Sequence, residues 1–288
     1  MKTINSLSGG KTSSYIAVHY PADFDVFSLI RTDDKKCMFP DKKIRQEVSD
    51  RIGHEFIGTL EEDMIIYTML DLEQYIGRKI HWLSPRTFDE LVYGKKRIGT
   101  VNLPSGMQRN CTFKLKVRPI EQFWFENVGE PVEMRIGFRA NEKRRANTML
   151  EKTNENGFTE SNIIVGKSEK TGRNKWQVRQ WRKPVFPLIE DNIFKDQIES
   201  YWEGKPVRFA YKNNCVGCFQ RSPMLLNHMA KRCENKFDWF VEAEKKSLEY
   251  KSMTWIKGMT YEQIKKHQSQ MGLFDDDFND CDSGYCGV

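Results

Sequence analysis

The sequence is informative first through what it lacks. None of its 288 residues belongs to an apolar run of about 18, which argues against a membrane-spanning helix. The first residues, MKTINSLSGGK, contain no apolar segment of the kind that directs secretion, so we expect a cytoplasmic protein. Internal repeats and low-complexity blocks are also absent, which leaves one large domain or a domain with a substantial appendage.

Composition permits a buried core together with a charged surface, at 39% hydrophobic and 30% charged residues. The net charge of +6 suits an anionic ligand such as a nucleotide or a nucleic acid, although many enzymes are equally basic. Seven cysteines are present, and in a reducing compartment they indicate metal or redox chemistry rather than a disulfide framework.

Strand-like and helix-like segments alternate up to about residue 190. Strands are predicted at 3–7, 24–32, 54–59 and 132–140, and helices at 11–20, 40–53, 61–77 and 112–129. This order predicts an α/β protein with a twisted parallel sheet of about five strands and helices on both faces. Residues 162–188 are predicted to form two extended segments around a polar turn.

Three regions are predicted along the chain. Residues 1–190 would form the α/β domain, and 191–268 a mainly helical region interrupted by the cysteine-bearing NNCVGC. Residues 269–288 are acidic, lack a core pattern and are predicted to be a flexible tail with two cysteines.

A glycine-rich turn lies between the first predicted strand and the first predicted helix. Backbone N–H groups of such a turn, and the amino end of the helix, can contact a phosphate closely. The turn contains small residues, hydroxyls and one cation, namely Ser8, Gly9, Gly10, Lys11, Thr12 and Ser13. Its spacing is neither that of a Walker A motif nor that of a dinucleotide motif. The plain alternative is a tight turn followed by a capped helix.

SGGKTSS resembles the SGGxxS signature of the PP-loop enzymes. These adenine-nucleotide alpha-hydrolase-like proteins include ATP pyrophosphatases, tRNA thiolation enzymes and phosphoadenosine phosphosulfate (PAPS) reductases. Residues 109–123, 135–146 and 213–223 are similar, in the same order, to further segments of the PAPS reductase-like family. The similarity covers most of residues 1–240 and implies the Rossmann-like HUP (PP-loop) fold.

The resemblance implies a nucleotide site. Lys116 and Asp33 would contact the nucleotide, and Arg139 and Arg145 would bind its anionic end through paired hydrogen bonds. The alternatives are a solvated helix face for the arginines and a turn-forming pair for Asp33 and Asp34. Thr12 stands where ATP-using relatives usually carry an aspartate. That difference weakens the case for a magnesium-ATP pyrophosphatase without excluding ATP or Mg²⁺.

The C-x-x-C spacing of Cys215 and Cys218 lets two thiolates converge on one metal from a single loop. Cys111 matches a cluster-ligand position of the family, but Asn110 replaces a second cysteine found there. Cys233 is therefore the candidate fourth ligand, and an ordinary helix cysteine is the alternative. The resemblance favours a four-iron iron–sulfur cluster, with zinc as the alternative metal.

The C-terminal YCGV is similar to the segment that carries the nucleophilic cysteine of PAPS reductases. Cys286 would attack the sulfur of the nucleotide, with Lys11 holding the charged group, and Cys281 would act as a resolving thiol. Tyr285 replaces the family's glutamate. The alternatives to the nucleophile role are therefore that Cys281 and Cys286 are both inert, or that one of them binds the metal.

We therefore expect an enzyme that reduces or cleaves a sulfonucleotide, with a thiol reductant protein as a partner. One alternative is ATP-dependent sulfur transfer to tRNA or DNA, since the basic segment 168–183 contains Trp176 and Trp181. The other is a nucleotide-binding module without catalysis.

Overall fold

A computed structural model describes residues 1–94, 101–105, 109–250 and 253–267. It shows an α/β protein with a six-stranded, mostly parallel central sheet in the order β5-β2-β1-β6-β8-β7. Within this sheet, β7 and β8 pair antiparallel and the other neighbours pair parallel. The eight strands of the described chain are β1 (Thr3–Leu7), β2 (Phe24–Ser28), β3 (Arg31–Thr32), β4 (Gly58–Thr59), β5 (Ile80–Leu83), β6 (Val132–Arg135), β7 (Thr159–Lys167) and β8 (Asn174–Val185).

Helices connect the strands and make up most of the described residues after position 190. They are α1 (Lys11–His19), α2 (Lys42–Ile52), α3 (Met64–Ile76), α4 (Phe88–Tyr93), α5 (Asn110–Thr112), α6 (Arg118–Asn127), α7 (Lys143–Leu150), α8 (Pro187–Glu190), α9 (Lys195–Trp202), α10 (Pro223–Arg232), α11 (Glu234–Tyr250) and α12 (Tyr261–Lys266). Throughout the described ranges, no helix combines the length and the apolar character needed to cross a membrane.

Local sequence signals explain the bounds of α2. The Asp41 carboxylate accepts hydrogen bonds from the backbone N–H groups of Lys43 and Ile44, at 2.8 and 3.1 Å. Such a cap satisfies donors that the first turn of a helix leaves unpaired. Gly53 ends the helix in the left-handed region, with φ of 66°. The predicted helix 40–53 is confirmed to within its end residues.

Alternate side chains of the central strands enter two different cores. Leu7 and Phe27 pack in a core with residues of α1, α2, α3 and α9. Ile4 and Val26 point to the opposite face, where they pack with residues of α6 and α7. Helices therefore cover both faces of the sheet.

A third core joins the α/β part of the chain to the last three helices. Phe88 and Leu115 pack there with Phe237 and Phe240 of α11 and with Tyr261 of α12. Residues before and after position 190 thus share buried apolar surface, and the cysteine-bearing loop between α9 and α10 lies against this core.

Three strand predictions were wrong in detail, and one of them, the strand predicted at 132–140, ends at Arg135. The segment 54–59 does not join the main sheet, because only Gly58–Thr59 is extended and pairs with β3 in a separate antiparallel ladder. The predicted strand 24–32 is interrupted after Ser28, and its last residues form β3. The missed strand is β5, whose four residues are too few for an alternating pattern to be conclusive.

Candidate functional site

The connections of the sheet diverge at its centre, between the neighbouring strands β1 and β6. The chain leaves β1 toward β2 on one side, whereas after β6 it continues to β7 and β8 on the other side. In such sheets a ligand crevice opens outside the carboxyl ends of the two neighbouring strands. The Ser8–Gly9–Gly10 turn follows β1, and Arg139 follows β6, so the sheet brings two segments of the sequence motif together.

The turn after β1 requires glycine at its centre. Gly9 has a φ of +78°, and a Cβ atom there would lie 2.6 Å from Cγ2 of Ile65. The Ser13 hydroxyl donates to the Gly10 carbonyl at 3.1 Å and accepts from the Ser8 N–H at 3.2 Å. Ser13 therefore closes the turn with its side chain.

A cavity of about 710 Å³ opens beside this turn. Four cationic residues line it, and they come from four separate parts of the chain: Lys11, Arg139, Lys195 and Lys212. Gly10 and Thr12 of the turn also line it, as do the carboxylates of Asp196 and Glu199, so the cavity combines backbone at a helix start with an excess of positive charge. This arrangement suits a phosphate or sulfate group.

Carboxylates orient two of these cations. Lys11 forms an ion pair with Glu199 of α9. The Arg139 Nε donates to Glu142 at 3.0 Å, and the same carboxylate pairs with Arg145. An incoming anion would therefore compete with Glu199 for the Lys11 ammonium group.

Other residues of the predicted nucleotide site lie outside this cavity. Arg145 packs its guanidinium 4.4 Å from the Phe138 ring and is not among the residues that line the cavity. Lys116 forms an ion pair with the buried Glu61, at 3.2 Å, and lines a separate cavity of about 20 Å³ together with Ser8.

The aspartates after β2 line a third cavity, of about 610 Å³. The Asp33 N–H donates to the Asp89 carboxylate at 2.9 Å. Asp34 accepts from the Lys36 N–H at 2.8 Å and caps a short 3₁₀ turn, as the turn-forming alternative for this pair predicts.

Sequence reasoning missed the contribution of α9 to the site. Glu199 pairs with Lys11, and the Trp202 indole N–H donates to the Lys11 carbonyl at 3.0 Å. These residues belong to no motif, so only the packing of α9 on α1 identifies them. Glu142 lies within the segment 135–146 already singled out, and its spacing from Arg139 and Arg145 was a usable signal.

The C-x-x-C segment forms a tight turn held against the third core. The Cys218 N–H donates to the Cys215 carbonyl at 3.1 Å, and the Tyr261 hydroxyl donates to the Gly217 carbonyl at 3.2 Å. A Cβ atom at Gly217 would lie 2.4 Å from the Phe240 ring. Glycine at this position is therefore required by the close approach of the ring.

Burial governs the chemistry of the candidate ligand thiols. It raises the pKa of Cys215, and the charges of Glu61 and Cys111 raise that pKa further, whereas Lys116 lowers it. Burial also raises the pKa of Cys111. A thiol in such surroundings becomes a metal ligand only as the thiolate, which needs positive charge beside it.

Cys233 lies in different surroundings from the C-x-x-C turn. Burial raises the pKa of its thiol, the charge of Glu62 raises that pKa further, and the charge of Lys236 lowers it. Over the described ranges, no group of three or more His, Cys, Asp or Glu side chains is placed to hold one metal ion. Cys281, Tyr285 and Cys286 lie outside the described residues.

A buried arginine lies beside the C-x-x-C turn. Arg221 is 6% exposed, and its Nη2 donates to the Asn213 carbonyl at 2.6 Å. Within the described structure its buried Nη1 has no hydrogen-bond partner. The Arg221 charge lowers the pKa of the nearby Cys215. The Arg221 guanidinium thus places a buried positive charge and an N–H donor beside the turn, where both would stabilise a centre of anionic thiolates.

Of the two tryptophans predicted to contact nucleic acid, the structure exposes one. Trp176 is 52% exposed, whereas Trp181 is 2% exposed and packs against Trp124 with ring centroids 6.4 Å apart. Trp181 is thus a core residue, and its predicted contact with a polynucleotide is wrong.

Comparisons with known proteins add no assignment, because no family model, no curated protein and no solved structure matches the chain. The fold and the site together define an α/β protein with a basic cavity at the divergence point of its sheet.

Proposed function

We propose that the protein is a PAPS reductase-like PP-loop protein with the HUP fold, and that it binds an adenine nucleotide at the carboxyl ends of β1 and β6. The observation that carries the proposal is the convergence of Gly10, Lys11 and Arg139 on one cavity. Its volume of about 710 Å³ falls within the range of small-molecule sites.

In this proposal the chain's own residues bind and orient the anionic end of the nucleotide. Arg139, held through its Nε by Glu142, donates to a phosphate or sulfate group. Lys11 and the N–H groups at the start of α1 neutralise further charge. Both cations also stabilise charge that develops on the leaving nucleotide.

The proposed reaction is cleavage of a sulfonucleotide. The Cys286 thiolate attacks the sulfur, the bond from sulfur to the phosphate oxygen breaks, and adenosine 3′,5′-bisphosphate leaves. A thiol of a reductant protein then attacks the Cys286 sulfur, which releases sulfite and leaves a disulfide. The two electrons that reduce the sulfonate to sulfite thus come from the thiols.

The cysteine-bound metal is part of the same proposal. Cys215 and Cys218 would hold it from one turn, with Cys111 beside them and Cys233 as the fourth candidate. The shared turn and the buried Arg221 support an anionic thiolate centre. An iron–sulfur cluster would supply a redox-active and electrostatic centre, whereas zinc would be structural.

Metal analysis after anaerobic purification tests this centre. We expect iron and acid-labile sulfide in the unmodified chain, and their loss in Cys215→Ser and Cys218→Ser. Zinc without sulfide would refute the cluster and leave a structural site.

Calorimetric titration with adenosine 3′,5′-bisphosphate, PAPS and ATP tests the nucleotide site. We expect Lys11→Ala and Arg139→Ala each to weaken binding by about tenfold or more, since each removes a charge-assisted contact. Arg144→Ala is the matched control, because Arg144 is exposed in the same basic run and does not line the cavity.

A further variant is expected to bind the nucleotide more tightly instead of more weakly. Glu199→Gln removes the carboxylate that competes for Lys11, and we expect binding about fivefold tighter, as for loss of one partly exposed charge. Equal affinity of the Glu199, Lys11 and Arg144 variants would refute this placement of the anion. Sulfite release that is lost in Cys286→Ser, with nucleotide binding unchanged, supports the reaction.

ATP-dependent sulfur transfer to a nucleic acid is the second candidate, favoured by the exposed, basic β7–β8 hairpin. The nucleotide retained on purification separates the two. Adenosine 3′,5′-bisphosphate supports the reductase and AMP supports the transferase, whereas binding without turnover of either substrate supports a module without catalysis.

A further inference from the structure

The β7–β8 hairpin extends beyond the central sheet. β8 pairs with β6 only from Arg182 to Val185, whereas the segment 174–180 pairs only with β7. Arg182 lies opposite Val132, the first residue of β6, so the preceding part of β8 runs past the amino end of β6. We call residues 160–181 the hairpin arm. At about 3.3 Å per residue, the eight residues of β8 in the arm span roughly 26 Å.

The arm is basic and carries exposed aromatic and apolar side chains. It contains two glutamates and five exposed cationic residues, Lys167, Lys170, Arg173, Lys175 and Arg179. Residues 171–180 are all exposed. Trp176 is 52% exposed and Val178 is 61% exposed, and strand alternation places both on one face of the arm.

The Trp176 ring is held in a defined position while it remains accessible. The Arg118 guanidinium, at the start of α6, lies 4.7 Å from the ring centroid. Arg118 Nη1 also donates to the Asn162 carbonyl of β7 at 2.5 Å, which fixes that guanidinium against the hairpin. A stacking platform backed by a cation results.

Protection of a sheet edge does not account for these features. Edge strands are commonly protected by lysines, and the arm has them. An exposed tryptophan and an exposed valine on the same face, however, would favour association of this edge with another molecule, so they do not protect it. Cations distributed along a strand beside an accessible indole instead match the phosphates and unstacked bases of a single-stranded nucleic acid.

We propose that the hairpin arm binds single-stranded nucleic acid, with its lysines and arginines on the phosphates and Trp176 stacked on a base. The arm lies at the amino edge of the sheet, whereas the nucleotide cavity lies at the carboxyl edge. The inference is therefore independent of the proposed function of that cavity.

Fluorescence anisotropy of labelled 20-nucleotide oligo(dT) and oligo(U), titrated with the full chain at several salt concentrations, tests the inference. The arm variant is Lys170→Gln/Arg173→Gln/Lys175→Gln. The matched control, Lys42→Gln/Lys43→Gln/Lys79→Gln, removes the same charge from exposed lysines elsewhere.

We expect the arm variant to weaken binding at least tenfold at 150 mM salt. The slope of log Kd against log salt should fall by about 2, since each phosphate contact contributes about 0.7. The control should bind within about twofold of the unmodified chain. Trp176→Ala should weaken binding about tenfold with the slope unchanged, and Trp176→Phe should restore most of the affinity.

Several outcomes would overturn the inference. They are an absence of binding at 50 mM salt, equal losses in the arm and control variants, or tighter binding to duplexes or to phosphatidylserine vesicles than to single strands. Unchanged circular dichroism and nucleotide binding verify that the arm variant is folded. Lys11→Ala should leave oligonucleotide binding intact, so failure of the arm and failure of the nucleotide cavity are distinguishable.

Discussion

Substitution of Gly9 by alanine tests the geometry of the turn directly. An alanine at this position meets two penalties, a φ of +78° and a Cβ atom 2.6 Å from Cγ2 of Ile65. The left-handed backbone costs about 1–2 kcal/mol, and overpacking in a close-packed core costs about 1–3 kcal/mol. Gly53 is the matched control, because its φ is +66° and no atom lies within 4 Å of a Cβ atom built there.

We expect Gly53→Ala to lower the free energy of unfolding by about 1 kcal/mol and Gly9→Ala by about 2–4 kcal/mol. Both variants restrict the unfolded chain equally, so their difference isolates the contact with Ile65. Urea unfolding monitored by circular dichroism measures both values.

A double-mutant cycle identifies the contact itself. Ile65→Ala removes Cγ2, so Gly9→Ala/Ile65→Ala should lose about 1–2 kcal/mol less than the two single changes together. Additive losses, or equal losses in the Gly9 and Gly53 variants, would refute the close approach of the turn to α3. Nucleotide binding should weaken in Gly9→Ala and stay unchanged in Gly53→Ala.

Three further predictions concern the core and the pH dependence of stability. Gly217→Ala places a methyl group 2.4 Å from the Phe240 ring, so we expect a loss of about 1–3 kcal/mol in urea unfolding together with loss of bound metal. Asp89→Ala removes the acceptor of three hydrogen bonds, one of them from the Trp239 indole at 3.0 Å. We expect it to cost about 3 kcal/mol, with a red-shifted tryptophan emission, and Asp89→Asn to cost less. Burial lowers the pKa of His81, so the unfolded chain binds the proton more readily and stability should fall as the pH drops below about 6.5. Unfolding free energies at pH 7.5 and 5.5 should differ less in His81→Phe than in the unmodified chain, and equal differences would contradict this role.

The sequence by itself determined the local features of the protein. Strand-like and helix-like periods encode which faces are buried, so the α/β class and the helices α1, α2, α3 and α6 were predictable. Caps such as Asp41 and Gly53 act on their own helix and mark its ends. The glycine-rich turn after β1 and the C-x-x-C turn are also local, because hydrogen bonds between near neighbours close them.

Only the tertiary structure decided which distant segments meet. Lys11 and Glu199 are 188 residues apart, and their contact depends on how α9 packs on α1. The exposure of Trp176 and the burial of Trp181 depend on where β8 leaves the sheet. A sequence pattern indicates whether each side chain prefers to be buried. The residue that this side chain contacts depends on the crossover connections of the chain, which no local period encodes.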